Sequence, residues 1–147
     1  MSNYAHPSDV LADILIDDGL LENGNVFVDN RPEWTSVNPD YDVITILRMT
    51  TAQPNPRWLR DTITCTIQVM GRTNQDQLEA RNHTWDVFNK LLGRDTFTRD
   101  NYTYLQFVSQ EMPTFVGYLE NGTPLYTCSI TFVREAQVKE GNRDVLC

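Results

Sequence analysis

Apolar residues near the start of the chain recur with the period of a helix. The helical stripe consists of Val10, Leu11, Ile14 and Leu15. Residues at i, i+1, i+4 and i+5 share one face of an α-helix, so the stripe predicts a helix that packs on a sheet. Ser8 is the predicted N-cap of this helix, and Gly19 is its predicted stop.

The next apolar runs have the pattern of strands. A short strand is predicted over Val26–Val28. A second strand over residues 43–49 is apolar on both sides, which is typical of a central strand. A third strand alternates strictly, with Ile63, Cys65, Ile67 and Val69 on one face and threonines and a glutamine on the other. One face of this strand should be buried and the other should be rich in hydroxyl groups.

The second half of the chain predicts one long helix and three more strands. Asn74 and Gln77 fit a capping box, and Gly93 ends the helix. Its apolar residues are Leu78, Trp85, Phe88, Leu91 and Leu92. A polar connector over residues 94–101 precedes strands over residues 102–109, 114–118 (beginning at Pro113) and 125–134. The Asn121-Gly122 pair between the last two strands predicts a β-hairpin with a type I′ turn.

These elements predict an α+β fold, with a mostly antiparallel sheet of about six strands and two helices on one face. The length of 147 residues suits a single domain over residues 1–147, with residues 1–7 and 135–147 as flexible tails.

Charge and cysteine content narrow the classes of function. Twenty acidic residues against twelve basic ones give a formal net charge of -8, which argues against a protein that grips the phosphate backbone. No sequence-specific binding to nucleic acid is therefore expected. Three cysteines, Cys65, Cys128 and Cys147, do not form a disulfide framework, which indicates a reducing compartment. Without an apolar run of membrane-spanning length, we expect a soluble protein, cytoplasmic when made, that does not interact with membranes.

The chain shows no constellation typical of catalysis, of metal binding or of cofactor binding. His6 falls in the predicted N-terminal tail, and His83 has no cysteine or carboxylate at metal-ligand spacing. Asp17 and Asp18 are adjacent on a helix, where their side chains diverge, so a solvated helix end is the favoured interpretation. Buried thiols at Cys65 and Cys128 would be inert. We therefore expect a protein that is not an enzyme and that needs no cofactor.

The strongest candidate for an interface is the segment over residues 50–61. Two prolines predict a loop or an extended arm here, and Arg57, Trp58 and Arg60 belong to the residue types enriched at interface anchors. Trp34, in an earlier predicted loop, is a weaker candidate of the same kind. The alternative interpretation is that Trp58 folds back over the sheet edge.

The C-terminal half resembles the tail terminator proteins of long-tailed bacteriophages, which are often called minor capsid or minor tail proteins. The resemblance lies in residues 104–108, in residues 112–118 and in the long final hairpin over residues 120–134. The first helix followed by residues 25–28 also fits. This resemblance implies a virion protein that forms a hexameric ring on the tail tube. Such a ring stops tube growth and meets the head connector, and DNA passes through its lumen.

Two other interpretations remain open at this stage. One is a neck, head-completion or tail-tube protein of a phage. The lower-ranked one is a small ligand-binding domain or enzyme whose pocket is lined by the hydroxyl-rich face of Thr62, Thr64 and Thr66. A closed apolar pocket with converging polar groups would favour the latter.

Overall fold

A computed structural model describes residues 6–55, 60–99, 101–119 and 122–136. Two helices and six strands lie within these ranges, which confirms the α+β class. In chain order they are α1 (Pro7–Asp17), β1 (Val26–Val28), β2 (Val43–Asn55), β3 (Arg60–Gly71), α2 (Gln77–Leu91), β4 (Phe97–Arg99), β5 (Tyr102–Tyr118) and β6 (Pro124–Ala136). The first element thus begins at Pro7, and β6 continues through Glu135 and Ala136, residues that the sequence assigned to the tails.

All six strands form one sheet in the order β1-β2-β3-β6-β5-β4. Only the β1–β2 pair is parallel. The prediction of a mostly antiparallel sheet is therefore confirmed. The central β3–β6 ladder runs without a register shift from Arg60 opposite Glu135 to Met70 opposite Leu125. Both edge strands, β1 and β4, are only three residues long.

The main core lies between one face of the sheet and both helices. The alternation predicted for β3 is confirmed, since Ile63, Cys65, Ile67 and Val69 are all at most 1% exposed and belong to this core. The stripe predicted for α1 is buried in the same cluster as the inner face of α2. Both helices therefore cover the same face, as predicted.

A smaller apolar cluster lies on the opposite face of the sheet, at the end where β2 begins. Val37, Ile44, Ile46 and Met70 are buried there, and Trp34 packs against them. Because β2 also sends Leu47 into the main core, this strand is buried on both faces. That is the central-strand character that its sequence predicted.

The start of α1 differs from the prediction. Ser8 is not the N-cap but a fully buried residue in the first turn. The helix begins two residues earlier than an N-cap at Ser8 implies, at Pro7, because a proline suits the first helical position, where no N–H is needed. His6 is the N-cap, and its Nδ1 accepts a hydrogen bond from the Ser8 backbone N–H at 3.3 Å. His6 is therefore part of the helix start rather than of a loose tail.

The start and the buried face of α2 also differ from the prediction. Thr73, not Asn74, provides the capping box, with Asp76 as its partner, and a 3₁₀ turn over Asn74–Asp76 leads into the helix. The inner face consists of Ala80, Thr84, Val87, Phe88 and Leu91. Three residues assigned to the buried stripe are exposed: Leu78 (58%), Trp85 (36%) and Leu92 (40%). The helix therefore turns Ala80 and Thr84 toward the sheet together with Phe88 and Leu91, and Leu78 and Trp85 lie on its exposed side.

The C-terminal strands are arranged differently from the prediction. Residues 97–99, assigned to a polar connector, form β4, and Arg99 pairs with Tyr102 across a two-residue turn. The two strands predicted on either side of residues 110–113 are one strand, β5, with four register shifts against β6. Seventeen residues of β5 therefore lie opposite thirteen of β6. Pro113 is tolerated within β5 because a bulged edge strand does not need every N–H for its ladder.

The hairpin between β5 and β6 is confirmed, but its turn is not the predicted two-residue type. The Leu119 N–H donates to the Thr123 carbonyl at 2.8 Å, and the Gly122 N–H donates to the Leu119 carbonyl at 2.8 Å. These bonds enclose three residues, and Gly122 has a φ of +82°. This pattern is typical of a three-residue loop that ends in a left-handed glycine. Asn121 lies outside the described residues.

We expect Gly122→Ala to lower the free energy of unfolding by about 1 kcal/mol, because an alanine Cβ is strained at positive φ. Asn101→Gly is the matched control, since Asn101 has a φ of +71° in the β4–β5 turn and glycine removes strain there. Urea denaturation followed by circular dichroism measures both. A Gly122→Ala protein as stable as the wild type would contradict this account of the turn.

Candidate functional site

The segment over residues 50–61, which the sequence singled out, is the end of the long hairpin formed by β2 and β3. It is here called the arm. The pairing continues to Asn55 opposite Arg60. Arg57 and Trp58 lie outside the described residues. Arg60 is exposed at the first position of β3, and its Nε donates to Glu135 Oε1 at 2.6 Å. Strand pairing over residues 51–55 and 60–61 shows that the described part of this segment is extended.

Trp34 lies in a 3₁₀ turn over Trp34–Ser36 and is partly buried against the second apolar cluster. The Arg72 guanidinium lies 4.6 Å from the centroid of its ring, and it also donates to the carbonyls of Asn38 and Tyr41. The buried indole N–H of Trp34 has no hydrogen-bond partner among the described residues. These contacts give Trp34 a packing role in the face opposite the helices.

The structure does not bring Trp34 and the arm together. Trp34 packs in the cluster that contains Met70, whereas Arg60 is ten positions earlier in β3. Ten residues of strand span roughly 33 Å. Of the candidate interface residues that the structure describes, Arg60 and Trp34 therefore lie at different ends of the sheet.

The outer edge of β5 is a feature that the sequence analysis missed. Beyond residues 102–104, which pair with β4, the described part of β5 has a strand partner on one side only. Five exposed large hydrophobic residues lie along this part: Val108 (52%), Met112 (57%), Phe115 (39%), Val116 (57%) and Tyr118 (52%). An unpaired apolar edge is a template for pairing with another chain. Pro113 within an apolar run was the signal that could have indicated an edge strand.

The outer edge of β2 is open in the same way at the other end of the sheet. β1 pairs only with residues 45–47, so residues 48–55 have β3 as their single strand partner among the described residues. Arg48 lies just beyond β1, and its Nε donates to the Asp29 carbonyl at 2.7 Å. The sheet thus carries two open edges, at diagonally opposite corners.

The hydroxyl-rich face predicted for β3 is present, but its hydroxyl groups bond to one another. Thr64 Oγ1 lies 2.9 Å from Thr131 Oγ1, and Thr66 Oγ1 lies 3.4 Å from Ser129 Oγ. Two open depressions, of about 380 and 500 Å³, lie instead along the helical layer. On the hydroxyl-rich face, a further bond from Thr66 Oγ1 to Thr50 Oγ1 at 3.3 Å joins β2 to the same set. The described residues of this face thus form a ladder of uncharged polar groups across three strands.

The titratable groups that the sequence considered have structural partners. Asp17 and Asp18 are not merely solvated, because they form ion pairs with Arg99 and Arg94, each at 2.8 Å. The hydrogen bond from Arg94 lowers the pKa of Asp18. His83 Nε2 lies 3.0 Å from Thr45 Oγ1, and burial lowers the pKa of this histidine. His83 is thus a packed side chain that links α2 to β2.

Among the described residues, Asp42, Asp76 and Glu79 are the group of carboxylates close enough to share a metal ion, with ligand atoms within 4.8 Å. Asp76 already accepts the Thr73 backbone N–H at 2.8 Å as part of the capping box. The group is therefore accounted for in part by the start of α2. No helix in the described ranges has the length and apolar character needed to cross a membrane.

Cys65 and Cys128 are buried free thiols, as predicted, and burial raises the pKa of each to about 12. At pH 8 the thiolate fraction is then on the order of 10⁻⁴, so alkylation should be slow. In a Cys147→Ser background we expect negligible labelling by iodoacetamide in the folded protein and labelling of two thiols in urea, as measured by mass spectrometry. Rapid labelling of the folded protein would contradict the burial.

The lowered pKa of His83 should make stability depend on pH. Burial in the folded state disfavours protonation of the His83 imidazole, whereas the unfolded chain binds a proton near pH 6.5. The contribution of neutral His83 to the free energy of unfolding is therefore complete above pH 6.5 and is lost as the pH falls below that value. We expect His83→Gln to lose less unfolding free energy than the wild type between pH 7 and pH 5 in urea titrations. Asn82→Gln, an exposed neighbour, should keep the wild-type slope; equal slopes for all three proteins would refute the assignment.

Comparison with known protein families matches residues 14–136 of the chain to the model described as bacteriophage tail terminator protein. The matched region extends from α1 to the last residue of β6. It therefore contains both open edges, the arm and the final hairpin. This match confirms the resemblance seen in the sequence. Comparison with curated proteins gives no match.

Proposed function

This chain belongs to the family of bacteriophage tail terminator proteins, and we propose that six copies of it form a ring that caps the tail tube. As a tail terminator it is a structural protein of the virion. In the proposed ring it stops tube growth and joins the tube to the head connector. Assembly of the subunits takes place in the host cytoplasm.

The observation that supports a ring best is the open apolar edge of β5. A monomer would leave five large hydrophobic side chains and an unpaired strand edge in water. Edges of this kind are normally covered, charged or shortened, because they promote uncontrolled association. A contact between two different patches of identical subunits closes into a ring when the rotation between subunits is suitable. The two open edges of this sheet are two such patches.

The arm is the proposed contact with the tail tube or with a neighbouring subunit. Arg57, Trp58 and Arg60 are its candidate anchors, because arginine and tryptophan dominate the energetics of many interfaces. Trp34 is the candidate at the other end of the sheet. Candidates at both ends of one sheet suit a ring that meets the tube on one side and the connector on the other.

Passage of DNA through the lumen is the remaining part of the proposal. A net charge of -8 provides little of the counterion release that holds DNA on basic proteins. The ladder of uncharged hydroxyl groups on the face without helices would likewise offer DNA no strong binding site. The protein should therefore let DNA move past it.

Negative-stain images of the purified protein, alone and mixed with tail tubes, test the proposed function directly. The expected result is a six-fold ring at one end of each tube and no further growth when tube subunits are added. Protein distributed along the tube would indicate a tube subunit. The absence of binding to either tube end would overturn the proposal.

Replacement of both Trp58 and Arg60 by alanine should weaken ring formation or docking on the tube while the subunit stays folded. The physical reason is that tryptophan and arginine anchors contribute much of the binding energy of an interface. We expect at least a tenfold loss of capping in a tube-growth assay, with light scattering to report ring mass. Arg81→Ala with Trp85→Ala on the exposed side of α2 is the matched control. Unchanged capping would show that the arm is not an interface.

A further inference from the structure

The two open edges of the sheet are complementary in shape. β4 covers only residues 102–104 of β5, whereas β1 covers only residues 45–47 of β2. Register across the sheet puts β1 level with Thr114 and Phe115 of β5, through residues 68–69 of β3 and 126–127 of β6. It puts Thr98 of β4 level with Asn55 of β2 by the same path. β1 is therefore level with a part of β5 that β4 does not cover, and β4 is level with a part of β2 that β1 does not cover.

Two copies in the same orientation would fill each other's gaps. If the second copy continues the sheet of the first, the space between β5 of the first and β2 of the second is one strand wide. β4 of the first copy occupies one end of this space, and β1 of the second copy occupies the other. β1 would then run antiparallel to β5, since it is parallel to β2 and three antiparallel steps separate β2 from β5.

Charge on the two edges matches at the same level. Glu111 pairs with Ser129, Ser129 with Thr66, and Thr66 with Arg48. Residues paired across strands lie on the same face of a sheet. Glu111 is exposed and Arg48 is partly exposed, and neither forms a salt bridge with the described residues. In a continued sheet the carboxylate of one copy would therefore face the guanidinium of the next.

We propose that residues 108–118 of β5 pack against β1 and Arg48 of a second copy of this chain. The occupant is identified by the shape match of the edges and by the Glu111–Arg48 pair. The three residues of β1, Val26, Phe27 and Val28, pack against this chain's own clusters but are only partly buried. The inference rests on the proposed ring and names its subunit contact. Every subunit contacts one neighbour through its β5 edge and the other neighbour through its β1–β2 edge. This is the heterologous contact that a ring requires.

A charge-reversal cycle tests this contact in the full-length protein. Glu111→Arg and Arg48→Glu should each weaken association about tenfold, because each puts like charges together at the contact. The double variant restores opposite charges, and its association should return to within about threefold of the wild type. Sedimentation equilibrium at low salt measures the association, and circular dichroism checks the fold. Glu79→Arg and Arg81→Glu, on the exposed side of α2, are matched controls that should leave association unchanged.

A second variant does not depend on the ion pair. Met112→Lys puts a charge on the open β5 edge at a position that is 57% exposed, so the subunit should fold while association weakens. Single charge-reversal variants that associate as strongly as the wild type would overturn the proposed contact. A double variant that associates no more strongly than the single variants would overturn it as well.

Images of the same variants with tail tubes separate this inference from the proposed function. Capping rings that persist in the single variants at wild-type strength would leave the ring standing and exclude this contact. A wild-type protein that stays monomeric and caps no tube would overturn both. Loss of capping in the singles together with recovery in the double variant would support both.

Discussion

The antiparallel pairing of β3 with β6 is the constraint on which the rest of the structure depends. These two strands join the first half of the chain to the second, and their ladder has no register shift over its eleven pairs. Because the ladder is uninterrupted, it fixes the level of β2 and β1 on one side against β5 and β4 on the other. The helices then cover one face of a sheet whose register is already set. The positions of the open edges follow from the same ladder.

Local patterns predicted the elements that are governed by local physics. The alternation around Ile63 and Ile67 is a property of one strand with one buried face, and it was read correctly. Helical spacing of the large apolar residues predicts a face of α2 that includes Leu78 and Trp85, whereas the buried face includes the small residues Ala80 and Thr84, which an apolar pattern does not single out. β4 was missed because three polar-flanked residues carry no period and are held in place by pairing with β5.

That Arg57, Trp58, Arg60 and Trp34 form interfaces stays a prediction. Arg60 and the arm could be found because arginine, tryptophan and proline stand out in any sequence. The open edge of β5 could not be found, because an edge exists only once it is known which strands pair. Residues 112–118 were noticed as carriers of a family resemblance, yet their exposed side chains were assigned to an ordinary strand. The family match over residues 14–136 then connects these features with tail assembly.

The extra residues of β5 have a mechanical consequence. Seventeen residues span the same length as thirteen of β6, so the surplus backbone must be taken up by local kinks, and kinks of this kind bend a strand and increase its twist. The unequal numbers of residues in these neighbouring strands therefore give this side of the sheet a stronger local bend and twist. Removal of one surplus residue would reduce both. The number of residues in one bulged strand is thus one determinant of the curvature of the sheet.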